Sequence, residues 1–285
     1  MRDVPGCEIE QLEHAQTGTR LGEGLRESGS LGAAAMERTL AAVAAFVARV
    51  RARDADLSSI ATSAMRRANN AAEFSARMRE TTGVPLQVLD GAAEAQASFI
   101  GATYGVPRDG MRTAVVDVGG GSTEVAVGRD GSLERAQSIE IGSVRVSERF
   151  GDLMGNAPGP RAHAAALEAR AAIDEEIAAF GAFRPVARVR AVAGTATTVA
   201  AVAAGSHVDR VSGTVLALGT LETTIDRLLD LSLEERRALP GMLPQRADIL
   251  AGGALVLAQT LTRLGAAEAL IETNDLLLGY LILSL

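Results

Sequence analysis

The sequence contains no lysine, no tryptophan and a single cysteine, Cys7, among its 285 residues. One cysteine can form neither a disulfide nor a cysteine-based zinc site within the chain, which favours a reducing cytoplasm as the location of the protein. The N-terminal stretch MRDVPGCEIEQLEH lacks the apolar core of a signal peptide, and no apolar run approaches the roughly 20 residues of a membrane span. The sequence therefore predicts a cytoplasmic protein without a membrane partner.

The charge balance is acidic, because 28 arginines stand against 35 acidic residues and the net charge is −7. This balance argues against nucleic-acid binding driven by whole-protein charge, but it does not exclude a local arginine pocket that binds a polyanion.

Aromatic residues make up only 3% of the chain and apolar residues 47%, so a core of Ala, Val and Leu is expected. The length favours one large domain or two small ones.

Helical and strand-like patterns alternate along the chain, which predicts an α/β fold. Helical spacing of apolar residues occurs at 33–53, 70–82, 92–104, about 160–180 and 216–266. Strand-like runs occur at 57–62, 85–89, 188–192 and 268–273, and a three-strand meander is predicted over 112–141. The C-terminal LLLGYLILSL follows Asn274 and Asp275, and it is interpreted as a capped helix packed into the core.

The two halves of the chain have the same order of elements, apart from one difference. The second half runs strand, glycine turn, strand, strand, helix, strand, helix, strand, helix. The first half begins with an extended segment at 8–20 and then follows the same order, without an opening strand–turn–strand. This repeat predicts two similar α/β lobes with a cleft between them, at 1–111 and 112–285, with the last helix packing back on the first lobe.

A glycine turn interrupts the meander in the stretch VVDVGGGSTEVAVG (115–128). Asp117 precedes the turn and Glu124 follows it. The turn itself consists of Gly119, Gly120, Gly121, Ser122 and Thr123. Without β-carbons, the backbone N–H groups of such a turn can converge on a phosphate, and the two hydroxyl groups add donors. Acids beside a bound phosphate would repel it unless they hold a cation such as Mg²⁺; the alternative is a tight hairpin with incidental acids.

A second glycine turn occurs in VAGTATTVAA (192–201), where Gly194 and Thr195 separate a strand from a helix. The N-terminus of a helix after a glycine turn is an anion-binding position. Ordinary helix capping by Thr195 explains the same pattern equally well when the segment is taken alone.

Eight short segments follow one another in an order that is typical of one family. They are TRLGEGLRESGSL (19–31), ATSAMRRANNAAEF (61–74), DGAAEAQASFIGA (90–102), VVDVGGGSTE (115–124), SIEIGSVRVSERF (138–150), AGTATTVAA (193–201), LPGMLPQRADILAGGALVL (239–257) and ETNDLLLG (272–279). Together they resemble the exopolyphosphatase/guanosine pentaphosphate phosphohydrolase (Ppx/GppA) family of the actin-like ATPase superfamily. The resemblance covers nearly the whole chain, and it implies two actin-like, ribonuclease H-like lobes and metal-dependent hydrolysis of a terminal phosphate.

The resemblance also implies roles for individual residues. Asp117 and Glu124 correspond to acids that help to hold Mg²⁺ or Mn²⁺, and the first glycine turn corresponds to a phosphate loop. Glu94 corresponds to the glutamate that activates the attacking water, although Ala93 stands where most members carry a second acid. Arg66 corresponds to an arginine that contacts phosphate. By the residues alone, Glu94 would be a solvated helix residue and Arg66 a surface arginine.

The chain departs from the family pattern at its beginning. Family members open with a strand and a first phosphate loop close to D-x-G-[ST]-N-S, and this sequence has no such stretch. The expectation is a first lobe without its opening strand, through either a misassigned start or a true truncation. Two functions follow: hydrolysis of polyphosphate or of the 5′ phosphate of guanosine pentaphosphate, or an impaired relative that binds or senses these anions or nucleotide. A homodimer is a further hypothesis.

Overall fold

The computed structural model of the protein describes residue 9 and residues 11–285. Within these residues, the chain forms a two-stranded parallel sheet and a six-stranded mixed sheet, with helices packed around both. The α/β class predicted from the alternating patterns is therefore observed. No helix in this part of the chain is long and apolar enough to cross a membrane.

The smaller sheet and its helices come first in the chain. Their elements are α1 (Leu25–Ser28), α2 (Ala33–Arg51), β1 (Ser59–Ala61), α3 (Ser63–Arg67), α4 (Ala71–Thr82), β2 (Leu86–Val88) and α5 (Gly91–Thr103). Strands β1 and β2 pair in parallel, and Ile60 lies opposite Gln87. A small apolar core that includes Leu40, Phe74 and Met78 joins α2 to α4.

The larger sheet carries the second part of the chain. Its strands are β3 (Arg112–Val118), β4 (Thr123–Arg129), β5 (Ser132–Ile139), β6 (Arg188–Val192), β7 (Val215–Ala217) and β8 (Glu268–Ile271). Its helices are α6 (Ser143–Arg149), α7 (Pro160–Glu176), α8 (Ala193–Ala204), α9 (Leu218–Asp230), α10 (Leu233–Arg237), α11 (Leu250–Leu264) and α12 (Leu276–Ser284). The strand order is β5-β4-β3-β6-β8-β7, with β3, β6 and β8 parallel.

The predicted meander forms as β3, β4 and β5, which pair antiparallel. Its second turn contains Asp130 and Gly131, and both have positive φ angles, of 52° and 78°. Positive φ at both central residues belongs to a type I′ turn, whose twist matches that of the flanking strands. The hairpin predicted from the Asp-Gly pair is confirmed.

Helix α5 and the final helix α12 cross at backbone contact distance. A β-carbon placed on Gly279 would lie 1.7 Å from the carbonyl oxygen of Ala97, and one on Gly101 would lie 2.0 Å from that of Asp275. Helix α5 also packs Phe99 against the six-stranded sheet, beside Val115 and Ala126. The last helix thus packs on an element of the predicted first lobe, while the lobe boundary after residue 111 stays a prediction.

Residues 11–20, predicted as part of an extended segment, belong to no helix or strand, and residues 8 and 10 of that segment lie outside the described residues. Two local predictions are wrong. Residues 216 and 217, predicted as helical, belong to β7, a three-residue edge strand that pairs with β8. Helix α12 is capped by Asp275 as expected, but it is not packed into the core. Of its residues only Gly279 is buried, because the helix contacts α5 along one narrow face.

Candidate active site

Both glycine turns lie at the same edge of the larger sheet. Strands β3 and β6 are parallel neighbours, and Asp117 near the end of β3 is paired with Val192 at the end of β6. The carboxyl ends of parallel strands are where α/β sheets bind their ligands. Segment 119–122 follows β3, and residues Gly194 and Thr195 follow β6, so the topology brings the two predicted phosphate-binding turns together.

The first glycine turn has free backbone donors. The amide of Gly119 donates to the carbonyl of Ser122 (3.0 Å), and the amides of Ser143 and Val144, at the start of α6, donate to the carbonyls of Gly119 and Gly120 (2.9 Å each). Among the described residues, the amides of Gly120, Gly121 and Ser122 donate to no protein acceptor. The carbonyls are therefore held by α6, while the N–H groups are available to an anion.

These donors line a cavity of about 240 Å³, which we call the cleft cavity. Its wall also contains Glu94, Arg67, Arg145 and Glu148, together with residues 20–23, 25 and 26 from the beginning of the chain. The ion pair between Arg20 and Asp248 (2.5 Å) ties that early segment to the second half of the molecule. The cavity therefore lies between the two halves of the chain, where the cleft was predicted.

Thr123 does not add a free donor to the turn. Its side chain is fully buried, and its hydroxyl donates to the carbonyl oxygen of Ile141 at 2.6 Å. The hydroxyl therefore braces the turn against the chain that leads into α6. Ser122, the other predicted hydroxyl donor, does line the cleft cavity.

Asp117 and Glu124 face each other across the β3–β4 ladder, as directly paired residues. Both are buried, with exposures of 7% and 2%. The hydroxyl of Ser98 donates to Asp117 Oδ2 (2.7 Å), and that of Ser138 donates to Glu124 Oε1 (2.6 Å). The predicted acids are thus adjacent, and they lie beneath the glycine turn that joins their strands.

The two carboxyl groups have raised pKa values. Burial raises the pKa of Asp117 to about 7, with further repulsion from Asp275 and Glu94. Burial also raises the pKa of Glu124 well above its usual range, and the charges of Asp117 and Glu94 add to this effect. Neighbouring buried acids resist simultaneous ionisation unless a cation compensates them.

The carboxylates of Asp117 and Glu124 suit a magnesium ion whose other ligands are water and substrate phosphate oxygens. Among the described residues, no group of three or more His, Cys, Asp or Glu side chains is placed to hold a metal ion. Mg²⁺ commonly uses only one or two carboxylates and completes its shell with water and phosphate oxygens. Asp117 and Glu124, two buried acids with raised pKa values beside an anion-binding turn, match that description.

Glu94 lies in the first turn of α5, on the wall of the cleft cavity. The side chain of Asp90 accepts a hydrogen bond from the amide of Ala93 (2.8 Å) and so caps the helix. Glu94 is only 6% exposed, which excludes the reading of a solvated helix residue. Burial raises its pKa, and the nearby Arg66 guanidinium partly offsets this rise. A buried carboxylate with a raised pKa is well suited to accept a proton.

Arg66 holds Glu94 in place. Its Nη1 donates to Glu94 Oε2 (2.5 Å) and to the carbonyl of Leu89 (2.9 Å), and its Nη2 donates to Glu140 Oε1 (3.2 Å). The side chain is not a free surface arginine, because only 17% of it is exposed. Arg66 does not line the cleft cavity, whereas its neighbour Arg67 does. Its predicted phosphate contact stays a prediction.

The second glycine turn is close to the first but does not line the cleft cavity. Ser143 links the two turns: its amide donates to the carbonyl of Gly119, and a β-carbon on Gly253 would touch both Ser143 and Thr195. Thr195 is 1% exposed, and its Oγ1 has no hydrogen-bond partner among the described residues. An unpaired buried hydroxyl at the first turn of α8 leaves a donor for a ligand.

Comparisons with known proteins agree on one family. The sequence model of the Ppx/GppA phosphatase family matches residues 2–275. The chain belongs to this family. Among curated Ppx/GppA relatives, "Exopolyphosphatase 2" of Mycobacterium tuberculosis is 32% identical over 91% of this chain and 85% of that protein. "Exopolyphosphatase 1" of Mycobacterium leprae is 30% identical over 90% of this chain and 75% of that protein.

Solved Ppx/GppA structures share the fold. A crystal structure titled "exopolyphosphatase-like protein" is 31% identical, with a TM-score of 0.83 over 93% of this chain and 88% of that one. The exopolyphosphatase of Cytophaga hutchinsonii is 24% identical, with a TM-score of 0.82 over 93% of this chain and 86% of that one. At 24% identity, the similarity to the Cytophaga hutchinsonii structure shows only that the fold is shared. The α/β fold implied by the resemblance is confirmed, while the division of the chain into two lobes stays a prediction.

One residue near the second turn of this Ppx/GppA chain was not singled out from the sequence. The guanidinium of Arg246 lies against Gly194, so that a β-carbon there would be 1.9 Å from Nη2. Burial lowers the pKa of Arg246, and its side chain has no hydrogen bond or ion pair among the described residues. The recognised segment LPQRADIL contained it, but nothing in that segment indicates that its guanidinium reaches a turn about fifty residues earlier.

Proposed function

We propose that this protein hydrolyses the terminal phosphate of inorganic polyphosphate, with the 5′ phosphate of guanosine pentaphosphate as the alternative substrate of the same site. One observation carries the proposal: the unpaired amides of Gly120, Gly121 and Ser122 line the same cavity as the buried carboxylate of Glu94. The names of the mycobacterial relatives support polyphosphate as the substrate. A relative that only binds such anions would not need a general base such as Glu94.

The reaction would be an in-line displacement at the terminal phosphorus. Glu94 orients a water molecule and accepts its proton while the water oxygen attacks phosphorus, and the bridging P–O bond breaks to release a shortened chain. Arg66 favours the ionised form of Glu94 and fixes its position, because it donates to Glu94 Oε2. The loop amides stabilise the charge on the transferring phosphoryl oxygens. Bound Mg²⁺ or Mn²⁺ would supply further charge neutralisation, held by Asp117 and Glu124.

The direct test is release of inorganic phosphate from long-chain polyphosphate with and without Mg²⁺. We expect turnover that requires the metal, and we expect Asp117→Asn to lower turnover about 10–100-fold and to raise the Mg²⁺ concentration needed, because one anionic ligand is lost. Asp226→Asn, a change in α9 outside the candidate site, serves as the matched control. Full activity of the wild-type protein in excess chelator would contradict the metal assignment, and absence of phosphate release would contradict the function.

Arg246 gives a second prediction, in which stability and activity move in opposite directions. Arg246 is only partly exposed, and desolvation of a charge that has no partner costs free energy, so Arg246→Met should leave the melting temperature unchanged or raise it. The same change should raise KM for polyphosphate about tenfold, because a guanidinium–phosphate contact is lost. The fully buried Arg236 is the matched control, since it donates to the carbonyls of Leu153, Leu228 and Leu231.

Arg246→Met and Arg236→Met should differ in their effects on the melting temperature and on KM. Arg236→Met should lower the melting temperature, because three backbone carbonyls lose their donor, two of them buried. A fall in stability for Arg246→Met with an unchanged KM would mean that Arg246 has a structural role and does not bind phosphate.

We keep a cytoplasmic location and a homodimer as proposals. Measurement of the molecular mass in solution tests the homodimer.

A further inference from the structure

Two serines contact the acids Asp117 and Glu124 from different elements. Ser98, which is 1% exposed, lies in α5, and its hydroxyl donates to Asp117 Oδ2 at 2.7 Å. Ser138 lies near the end of β5, and its hydroxyl donates to Glu124 Oε1 at 2.6 Å. One oxygen of each carboxylate is therefore held by a hydroxyl that belongs to another element.

Ser98 does not form the hydrogen bond that a buried hydroxyl in a helix often forms. Such a hydroxyl can donate to the carbonyl oxygen four residues earlier in the same helix. Thr103, also in α5, donates in this way to the carbonyl of Phe99 at 2.7 Å, and Thr198 and Thr260 do the same in α8 and α11. The hydrogen bond of the Ser98 hydroxyl instead leaves the helix and ends on a carboxylate.

This hydrogen bond is not the main contact that holds α5 on the larger sheet. Ala95 and Phe99, on either side of Ser98 in the helix, are fully buried and pack against the strands. Apolar burial of this extent fixes the helix without help from a single hydroxyl. The effect of the Ser98 hydroxyl is therefore expected at Asp117 itself.

The start of α5 also packs on the second serine. A β-carbon on Gly91, the first residue of the helix, would lie 2.5 Å from Cβ of Ser138 and 3.0 Å from its Oγ. Position 91 must therefore lack a side chain for Ser138 to lie beside Glu124. Glu94 precedes Ser98 by one turn on the same face of α5. The helix thus carries the candidate base, one of the two serines and the glycine that makes room for the other.

We propose that the two serines are positioning residues for a divalent metal ion. Their hydroxyls fix the orientation of the carboxylates of Asp117 and Glu124, which would hold the ion. The inference rests on the proposed function and assigns part of the metal affinity of that site to Ser98 and Ser138. A hydrogen-bond donor behind a ligand carboxylate orients the ligand, and loss of such a donor typically lowers metal affinity about 10–100-fold.

The test measures Mn²⁺ binding without turnover. Mn²⁺ is titrated into the protein with inorganic phosphate present, which can supply phosphate oxygens as further ligands, and free Mn²⁺ is followed by electron paramagnetic resonance. Ser98→Ala and Ser138→Ala should each weaken Mn²⁺ binding about 10–100-fold. Melting temperatures check that each variant is folded. Ser138 is only half-buried, so Ser138→Ala tests the proposal even if Ser98→Ala fails to fold.

A buried serine elsewhere in the chain provides the matched control. Ser147, in α6, is fully buried, and its hydroxyl donates to the carbonyl of Ile249 at 3.4 Å. Ser147→Ala therefore removes a buried hydroxyl that contacts neither Asp117 nor Glu124, and it should leave Mn²⁺ binding unchanged.

The metal dependence of turnover separates a positioning role from the role of a base. Saturating Mn²⁺ should restore phosphate release in Ser98→Ala and Ser138→Ala, because their defect is in metal affinity. It should not restore phosphate release in Glu94→Gln, which lacks the proton acceptor.

Mn²⁺ binding also separates this inference from the proposed function. Weaker binding by the two serine variants supports the inference even if the wild-type protein releases no phosphate, a result that would reject only the hydrolytic function. Unchanged Mn²⁺ binding in both serine variants, an equal loss in Ser147→Ala, or no Mn²⁺ binding by the wild-type protein would overturn the positioning role.

Discussion

Glu94→Gln should reduce the turnover of polyphosphate by about 10²-fold or more, with substrate binding largely kept. Glutamine has the size of glutamate and can still accept a hydrogen bond from Arg66 Nη1, which lies 2.5 Å from Glu94 Oε2. It cannot take the proton of the attacking water. The expected result is therefore a fall in kcat with little change in KM, measured as phosphate release under saturating Mg²⁺.

A second carboxylate of the same cavity provides the control. Glu148 also lines the cleft cavity, but its Oε1 accepts a hydrogen bond from the amide of Gly24 at 3.1 Å, on the side of the early segment. Glu148→Gln should keep turnover in the wild-type range. If the two variants lost activity equally, general electrostatics of the cavity would explain the effect, and Glu94 would have no special role as the base.

The backbone part of the site could be predicted from sequence because its signals are local. Three glycines between two apolar strands determine a turn with open amides, and the alternation of β3 and β4 places Asp117 opposite Glu124. The Asp130-Gly131 turn fixes the next strand in the same way. Each of these features depends on residues that are neighbours in the chain or across one hairpin.

The side-chain partners could not be predicted, because they come from distant elements. Arg66 was assigned to phosphate, yet its partner in this structure is Glu94, 28 positions later, together with Glu140. Thr123 donates to the carbonyl of Ile141 instead of to the cavity. Arg246 reaches Gly194 only because the short helical turn Pro244–Arg246 packs against the start of α8. No periodicity or motif spacing records contacts of this kind.

The expected effect on stability is largest at the crossing of α5 and α12. Gly279→Ala should destabilise the protein by about 3 kcal/mol or more, because overpacking already costs 1–3 kcal/mol where side chains can move and here the obstacle is backbone. A β-carbon on Gly279 would lie 1.7 Å from the carbonyl oxygen of Ala97 and 2.8 Å from the amide nitrogen of Gly101. Since domains are stable by only about 5–15 kcal/mol, the melting temperature should fall sharply, or the protein should fail to accumulate.

Neither α5 nor α12 can move easily to relieve the contact that Gly279→Ala would create. Helix α5 is fixed on its other side by Ala95 and Phe99, which are fully buried against the larger sheet, so relief requires α12 to move outward. Asp275, the cap of α12, would move with it, and its charge acts on Asp117. Gly279→Ala should therefore also change the metal requirement of any protein that remains folded.

A glycine in an open helix provides the matched control for this change. Gly219 lies in the first turn of α9, and a β-carbon there would have no heavy atom within 4 Å. Gly219→Ala should stabilise the protein by about 0.5–1 kcal/mol, because alanine loses less backbone entropy in a helix. Thermal melting of both variants decides the matter: equal melting temperatures would mean that α5 and α12 do not cross at backbone contact, and the packing of the last helix on α5 would then be wrong.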